Sequence, residues 1–500
     1  MANLKFGWAE VDITPDKKVS LAGQFAERIS EYVEKPLTAT AMAVTSDDEQ
    51  MILVSCDLVA VGANLVDAVR AELEGNLAGI DPSKIVLSAI HTHTGPGYTR
   101  TRRLRATTAA KSILKSLLPP DKKYVEKQNV SNNPDIISNE EMLNLLVERI
   151  TKVIFDAWDN RKEGSFSNAF GRAPVGMCRR ASYSDGSAQM WGETNQAVFT
   201  AVEGGSDTGI ELMYVFGEKG ELTGIVANLA CPAQCVQHRL FVSPDFWGEV
   251  KVLLRKRFGD DIFLLAQCSA AGDQCPVDIV RWVEPYSDVN DPNIDRKYPI
   301  KRKADPSMFD LDGMKLTGRR IANEIIAVYD DGLDTPQENP EFVHHVHTMN
   351  LPIRRATLAD EIAAKKAIDE YLKNKEGDVD YNDAAKLQVH MGILTRMEFQ
   401  NKYDTLPTEV HTVRLGTVAI ATNPFELFLD YGNQIKARSH AEQTFLIQLA
   451  NGAEGYLPTE KAEKGGHYSA FISSGQVGHQ GGDQLVRETL NDINNNLFPM

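Results

Sequence analysis

The stretch HTHTGPG, residues 91–97, sets two histidines either side of one threonine and then breaks into Gly-Pro-Gly, directly after the apolar run KIVLSAI (84–90). On a strand, positions i and i+2 share a face, so His91 and His93 can aim at one point, a metal ion or a polar substrate group. Gly-Pro-Gly ends the strand and lets another segment or a ligand come close. Taken alone the pattern admits metal ligation or catalysis, and equally a satisfied histidine pair at a strand edge.

Four of the six cysteines, Cys231, Cys235, Cys268 and Cys275, fall at polar, glycine- or proline-marked turns after apolar runs. Buried, inert thiols are the ordinary reading of such positions. Six cysteines in 500 residues make no disulfide framework. One basic cluster also follows the histidines: Arg100, Arg102, Arg103, Arg105, Lys111, Lys115, Lys122 and Lys123 against Asp121 alone. It reads as a solvated face or flap, or as a lid over His91 and His93 that attracts anionic groups.

The elements that must position these residues alternate. Short apolar runs of strand character recur at 51–61, 84–90, 210–216, 262–268, 418–422 and 445–450, several of them apolar on both faces, as in a sheet covered by helices. Between them lie helical patterns at 64–77, at 139–158, which opens on Asn and two glutamates, and at 243–258, where Ser243 stands as N-cap and Pro244 at the first helical position. The alternation predicts an α/β fold of mixed β-sheets flanked by helices. The polar stretch 284–307 predicts a surface loop and 329–342 a linker; the charged segment 358–403 predicts a pair of solvated helices inserted before the last strands. No internal repeat or low-complexity tract is evident. The chain reads as one large domain, 1–500, carrying that helical insertion.

At 42% hydrophobic and 24% charged the composition is that of an ordinary globular protein. A net charge of −16 argues against a general nucleic-acid binder. The N-terminus lacks a basic region followed by an apolar one, so no signal peptide is read and a cytoplasmic location is expected, a removed leader aside. No apolar run approaches the length of a membrane span.

Further stretches bear on HTHTGPG: GMCRRASY (176–183), NLACPAQCVQHRLFVSPDFWG (228–248), AAGDQCP (270–276), TNPFELF (422–428) and ANGAEGYLPT (450–459). In that order, and with VDITP (11–15) near the start, they resemble the catalytic domain of the neutral, non-lysosomal ceramidases. That family carries His-Thr-His-Ser-Gly-Pro-Gly after a strand, an Asn-Arg pair, a His-Pro or His-Ser turn leading to an aspartate, a Gly-Asp-Val-Ser-Pro turn, a Pro-Gly-Glu turn and a Gly-Tyr turn. The likeness runs as separated motifs from about residue 6 to the C-terminus, without the family's C-terminal immunoglobulin-like domain.

The resemblance implies a zinc ion held by His91, Glu426 and Tyr456, with Phe425 standing where the family has glycine. His93 would be a general acid/base or a group behind the ligands, and Arg179 a donor to an oxyanion or substrate carbonyl. The family's second ligand histidine is missing. Counted back from Asp245, Cys231 stands at its place, and cysteine is a competent zinc ligand as thiolate; His238 is the other candidate, and a weak or absent metal the third reading. Cys275 replaces the family's serine and is a nucleophile only if its pKa is lowered, whereas Asp273 is expected to hydrogen-bond a site histidine or loop amides.

The activity implied is metal-assisted hydrolysis of an amide bond, with Zn2+ or another divalent ion as cofactor and a small N-acyl, lipid- or glycan-derived molecule as substrate. The basic segment and the changed ligands suggest a substrate more polar or anionic than ceramide. Two other classes stand beside it. One is an amidohydrolase-type barrel, which also has His-x-His at a strand end but needs eight regular βα units. The other is a non-catalytic binding protein that has lost the metal. Oligomeric state is not readable.

Overall fold

The structure, a computed structural model, describes residues 4–24, 27–74, 79–104, 110–125, 133–281 and 309–500. The expected loop 284–307, and Arg105 of the basic cluster, lie outside these residues.

One order of elements occurs three times: three antiparallel strands, a helix, and a fourth strand parallel to the third. In the first unit the strands are Lys5–Asp12, Thr38–Thr45, Gln50–Cys56 and Ile85–Ala89, with helix Ala63–Glu74 crossing between the last two. The second uses Lys162–Arg172, Gly209–Gly217, Leu222–Leu229 and Phe263–Cys268, crossed by helix Phe246–Phe258. The third uses Phe342–Pro352, Thr405–Leu415, Val418–Thr422 and Gln443–Ile447, crossed by helix Leu429–Arg438. A longer helix follows each unit: Asn139–Asp159, Asp310–Asp331 and His479–Asp492. The repetition is invisible as sequence identity because a buried strand asks only for apolar residues, not for particular ones.

The first two units join through two residue pairs, Lys5 with Glu163 and Phe6 with Lys162, into one eight-stranded sheet. The four-stranded sheet of the third unit lies against it across a shared core that includes Phe6, Trp8, Phe166, Val226, Val413, Ile420 and Phe445. The outer faces are covered by helices, Asn139–Asp159 on the first unit, Asp310–Asp331 on the second and His479–Asp492 on the third. Strands covered on both faces explain the near-continuous apolar runs of the sequence. These open sheets replace the barrel alternative.

The segment 358–403 forms the two expected helices, Leu358–Asn374 and Tyr381–Lys402, each opened by a capping box (Thr357 with Asp360, Asp380 with Asp383). They are more than solvated helices. With helix Ala110–Ser116 they enclose their own small core of Leu114, Ala364, Ile368, Leu372, Leu387 and Met391.

Two local expectations are corrected. Helix Phe246–Phe258 is capped by Asp245, whose carboxylate accepts from the Phe246 amide, and not by Ser243. Helix Asp310–Asp331 runs into the stretch read as a linker. No helix among the described residues is long and apolar enough to cross a membrane.

Candidate active site

In each unit the turns after the third and fourth strands lie at the same end of a parallel strand pair, the place where open α/β sheets form ligand crevices. His91 and His93 follow the fourth strand of the first unit, Gln234 the third of the second, Glu426 and Tyr456 the third and fourth of the third. Residues 365 positions apart, from His91 to Tyr456, thus come to one point by repetition of a single topology.

The histidines do not reach it as strand residues. The strand ends at Ala89, and His91 sits in the left-handed region at φ 65°. Backbone bonds from Ile90 to the Cys56 carbonyl, Thr92 to Leu58 and His93 to Ala233 brace the turn. Buried Arg28 donates to the His93 carbonyl at 2.6 Å. Gly23, itself at φ 92°, packs so closely on the His93 ring that a Cβ there would stand 2.6 Å from it, so only glycine fits. The two rings face one point, but a left-handed turn brings them there and not strand alternation.

His91 Nδ1 lies 2.6 Å from the Val59 carbonyl, which can only accept, so that nitrogen carries the proton. In the neutral ring Nε2 is then a bare lone pair. It faces a Glu426 carboxylate oxygen at 3.4 Å and His93 Nε2 at 3.3 Å. His93 Nε2 is an acceptor too: Arg179 donates to Gln234 Oε1 at 3.1 Å, which turns the Gln234 amide nitrogen toward His93 Nε2 at 2.7 Å. Acceptors thus converge on a buried point, His91 and His93 being 5% and 8% exposed. Such a set is repulsive unless a proton or a cation stands among the acceptors, and imidazole, carboxylate and phenol oxygen are zinc donors. The donor set fits the implied metal.

Glu426 and Tyr456 are neighbours in a short parallel bridge. Burial works against the Glu426 charge, but a proton shared with His91 Nε2, the Tyr456 hydroxyl and the Arg179 charge hold its carboxyl below the usual range. Burial pushes the Tyr456 hydroxyl well above its ordinary value. Burial, with the neighbouring His91 and Arg28, keeps His93 well below its ordinary value and therefore neutral.

The remaining expected residues fall elsewhere. Cys231 does not reach His91 and Glu426: its thiol donates to the Val175 carbonyl at 3.3 Å, and burial holds it well above the ordinary thiol range. Of the turn after Leu229 it is Gln234, three residues on, that enters the site. His238 stacks on Phe309, 3.3 Å from the Asp310 carboxylate. The Cys275 thiol donates to the Val277 carbonyl, and burial pushes it up to about 12, which leaves no nucleophile. Arg179 lies behind the site, donating to the Gly272 carbonyl at 3.0 Å and reaching the Tyr456 hydroxyl at 3.4 Å. Asp273 accepts from the Leu429 amide at 2.9 Å, at the start of helix Leu429–Arg438.

Above the site opens a cavity of about 740 Å³, lined by His91, His93, Glu426 and Tyr456 at its floor. Val59, Ala60, Leu449 and Phe471 supply apolar wall, and the inserted helix Tyr381–Lys402 supplies Lys386, Gln388 and Val389. Arg100 and Arg102 also line it. Four others of the basic cluster are engaged elsewhere: Arg103 pairs with Asp67 at 2.7 Å, Lys122 donates to the carbonyls of Lys375 and Gly377, and Lys111 and Lys115 lie over the Tyr124 ring. Lys386 stands in no motif, and Gln234 lies within the stretch 228–248, where an amide between two cysteines carried no signal of its own.

No protein-family model and no curated protein matches the sequence. Solved structures do match. A crystal structure of neutral ceramidase from Pseudomonas aeruginosa superposes with a TM-score of 0.66 at 16% identity, over 98% of this chain and 74% of that one. A ceramidase complexed with C2 matches at TM-score 0.66 and 15% identity, over 98% of this chain and 75% of that one. The likeness at such identity is one of fold, and in fold the chain is a divergent neutral-ceramidase-like protein.

Proposed function

We propose that the protein is a metal-dependent hydrolase that cleaves an amide, N-acyl bond. The observation that carries this reading is the convergence of the His91 nitrogen, the Glu426 carboxylate and the Tyr456 hydroxyl at the floor of a cavity, in a fold shared with ceramidases. These three residues would hold a divalent ion, Zn2+ by the chemistry of the donors. Such an ion, when bound, supplies Lewis acidity at the scissile carbonyl and brings the pKa of water to about 7.

The chain's own residues supply the rest. His93, neutral and lining the cavity, takes a proton at Nε2 as the Gln234 amide nitrogen gives way and returns it to the leaving amine, the general-base and general-acid role. Gln234 holds that nitrogen in its acceptor form. Arg179 is a positioning residue: it fixes Gln234 and the Tyr456 hydroxyl and touches no substrate.

The substrate is more polar than ceramide. Arg100, Arg102 and Lys386 meet in the cavity, Arg102 feeling the Glu454 and Glu426 charges, and Glu426 is the one acidic side chain among the lining residues described. In a chain of net charge −16 this is a local inversion of sign. Beside it stands the apolar wall of Val59, Ala60, Leu449 and Phe471. An acyl chain on that wall with an anionic head at the arginines, an N-acyl amino acid for example, matches both.

The test is metal analysis of purified protein with a chelator control, followed by assay on N-acyl amino acids and on the corresponding uncharged N-acyl amines. The expected result is bound metal, loss of hydrolysis on chelation with return on Zn2+ addition, and preference for the anionic series. Metal-free protein that binds N-acyl amino acids without cleaving them would make it a binding protein instead.

A further inference from the structure

A second histidine pair lies outside this cavity. His345 and His347 are two residues apart on strand Phe342–Pro352, at the edge of the four-stranded sheet, and therefore share a face. Both meet Asp492, the last residue of helix His479–Asp492: His345 Nδ1 at 3.1 Å and His347 Nε2 at 2.9 Å from the same carboxylate oxygen. The three donor atoms lie within 4.8 Å of one another, the one such group among the described residues.

Two features separate this from a plain pair of hydrogen bonds. The carboxylate is already fixed without the histidines: Thr412, on the adjacent strand, donates to the same oxygen, and Asn496 donates to the other at 2.7 Å. Asp492 is buried while both rings are half-exposed, so the site opens to solvent at its histidine side. The spacing also suits an ion. Ligands about 2.0–2.2 Å from a tetrahedral Zn2+ stand roughly 3.3 Å from one another, close to the nitrogen–oxygen separations present.

We infer that His345, His347 and Asp492 form a divalent transition-metal site, selective for Zn2+ over Mg2+ or Ca2+ because two of its three ligands are imidazoles. On binding, each neutral ring keeps its proton on the nitrogen turned away from the ion, and the open corner takes water. The ion ties the edge strand of the third unit to the helix that covers it. The role is structural and independent of the amide hydrolysis proposed above.

The experiment uses full-length protein stripped with a chelator and titrated with ZnCl2, reading stoichiometry by calorimetry and melting temperature by circular dichroism. Wild type, His91→Asn and the double variant His345→Gln/His347→Gln are compared, with MgCl2 as control. The double variant is expected to bind one Zn2+ fewer than wild type and to show a smaller Zn2+-induced rise in melting temperature. His91→Asn should lose the other ion and keep the part of the rise that the double variant lacks, so the two sites fail separately. Because the metal-free double variant keeps the Thr412 and Asn496 bonds to Asp492, its fold is expected to persist; if it does not, the single His347→Gln is titrated instead. Unchanged stoichiometry and an unchanged Zn2+ response in the folded variant overturn the site, as does an equal response to Mg2+.

Discussion

His91-Thr92-His93 and His345-Val346-His347 share one spacing, yet two different backbones deliver it. The second pair is ordinary antiparallel strand, in register with Thr412 and Val410, and its rings share a face because strands alternate. The first pair has left its strand. Its rings converge because His91 takes a left-handed conformation, about 1–2 kcal/mol uphill for a residue with a Cβ, and because Val59, Gly23, Arg28 and Gln234 close around it. A regular element is free to present ligands to solvent. A strained turn persists only where its surroundings over-determine it, and that is where a reactive centre gains from preorganisation.

The comparison breaks first at the ligands. His91→Asn or Glu426→Gln should lower amide hydrolysis on the order of 10³-fold or more, since the several kcal/mol of Lewis-acid stabilisation go with the ion. His347→Gln should leave turnover within about twofold, because that site carries no chemistry. Turnover rates on one N-acyl amino acid, alongside metal content, decide it. A large loss in His347→Gln would put chemistry at the wrong pair.

One shell further out, Gln234 distinguishes the turn from the strand. Gln234→Ala should retain metal and lose about 10- to 100-fold in kcat, the usual cost of removing a group that orients a reacting one. Gln234→Glu would set a carboxylate against His93 Nε2, favour the protonated ring and shift the acid limb of the pH–rate profile upward. A merely structural Gln234 would lower melting temperature in both variants and leave that limb where it was.

Much of this was legible in the sequence, and the failures have physical causes. Strand positions were readable because both faces are buried, so apolar runs stood out. That His91, Glu426 and Tyr456 come together was readable because their flanking turns keep recognisable residues. Cys231 was misplaced because position in a motif says nothing about where a side chain points. There the chain turns so that Cys231 faces the Val175 carbonyl and Gln234 faces the site. The threefold repetition left no trace because burial pattern, not residue identity, builds it. His345, His347 and Asp492 were missed although the run HHVH was visible, because their carboxylate lies 145 residues away and only the fold joins them.

The cavity mouth sharpens the contrast between a site that must admit substrate and one that must only hold an ion. Arg100→Gln and Arg102→Gln should each raise KM for an N-acyl amino acid about tenfold, with little change for the uncharged N-acyl amine. The effect should shrink as salt rises, since these side chains are solvent-exposed. Arg103→Gln, whose partner is Asp67, should change neither. Equal losses on both substrates would remove the anionic head group from the proposal.

The smallest effect concerns what surrounds the turn-held pair. Asp273 is buried, and that burial pushes its carboxyl up to about 6, only partly offset by the hydrogen bond from the Leu429 amide. A raised carboxyl binds its proton more readily in the native state than in the unfolded chain. Its contribution to stability is therefore present at acid pH and is lost as pH rises through about 6. Wild type should accordingly gain about 1.4 kcal/mol from this group between pH 7.5 and pH 5. Asp273→Asn keeps an oxygen for the Leu429 amide and has no charge to bury, so it should lack that gain and stand relatively more stable at pH 7.5. Urea unfolding of both proteins at the two pH values measures the difference. A gap between wild type and Asp273→Asn that does not change with pH would mean that Asp273 titrates as it would in water, and that this flank of the site is wetter than its packing implies.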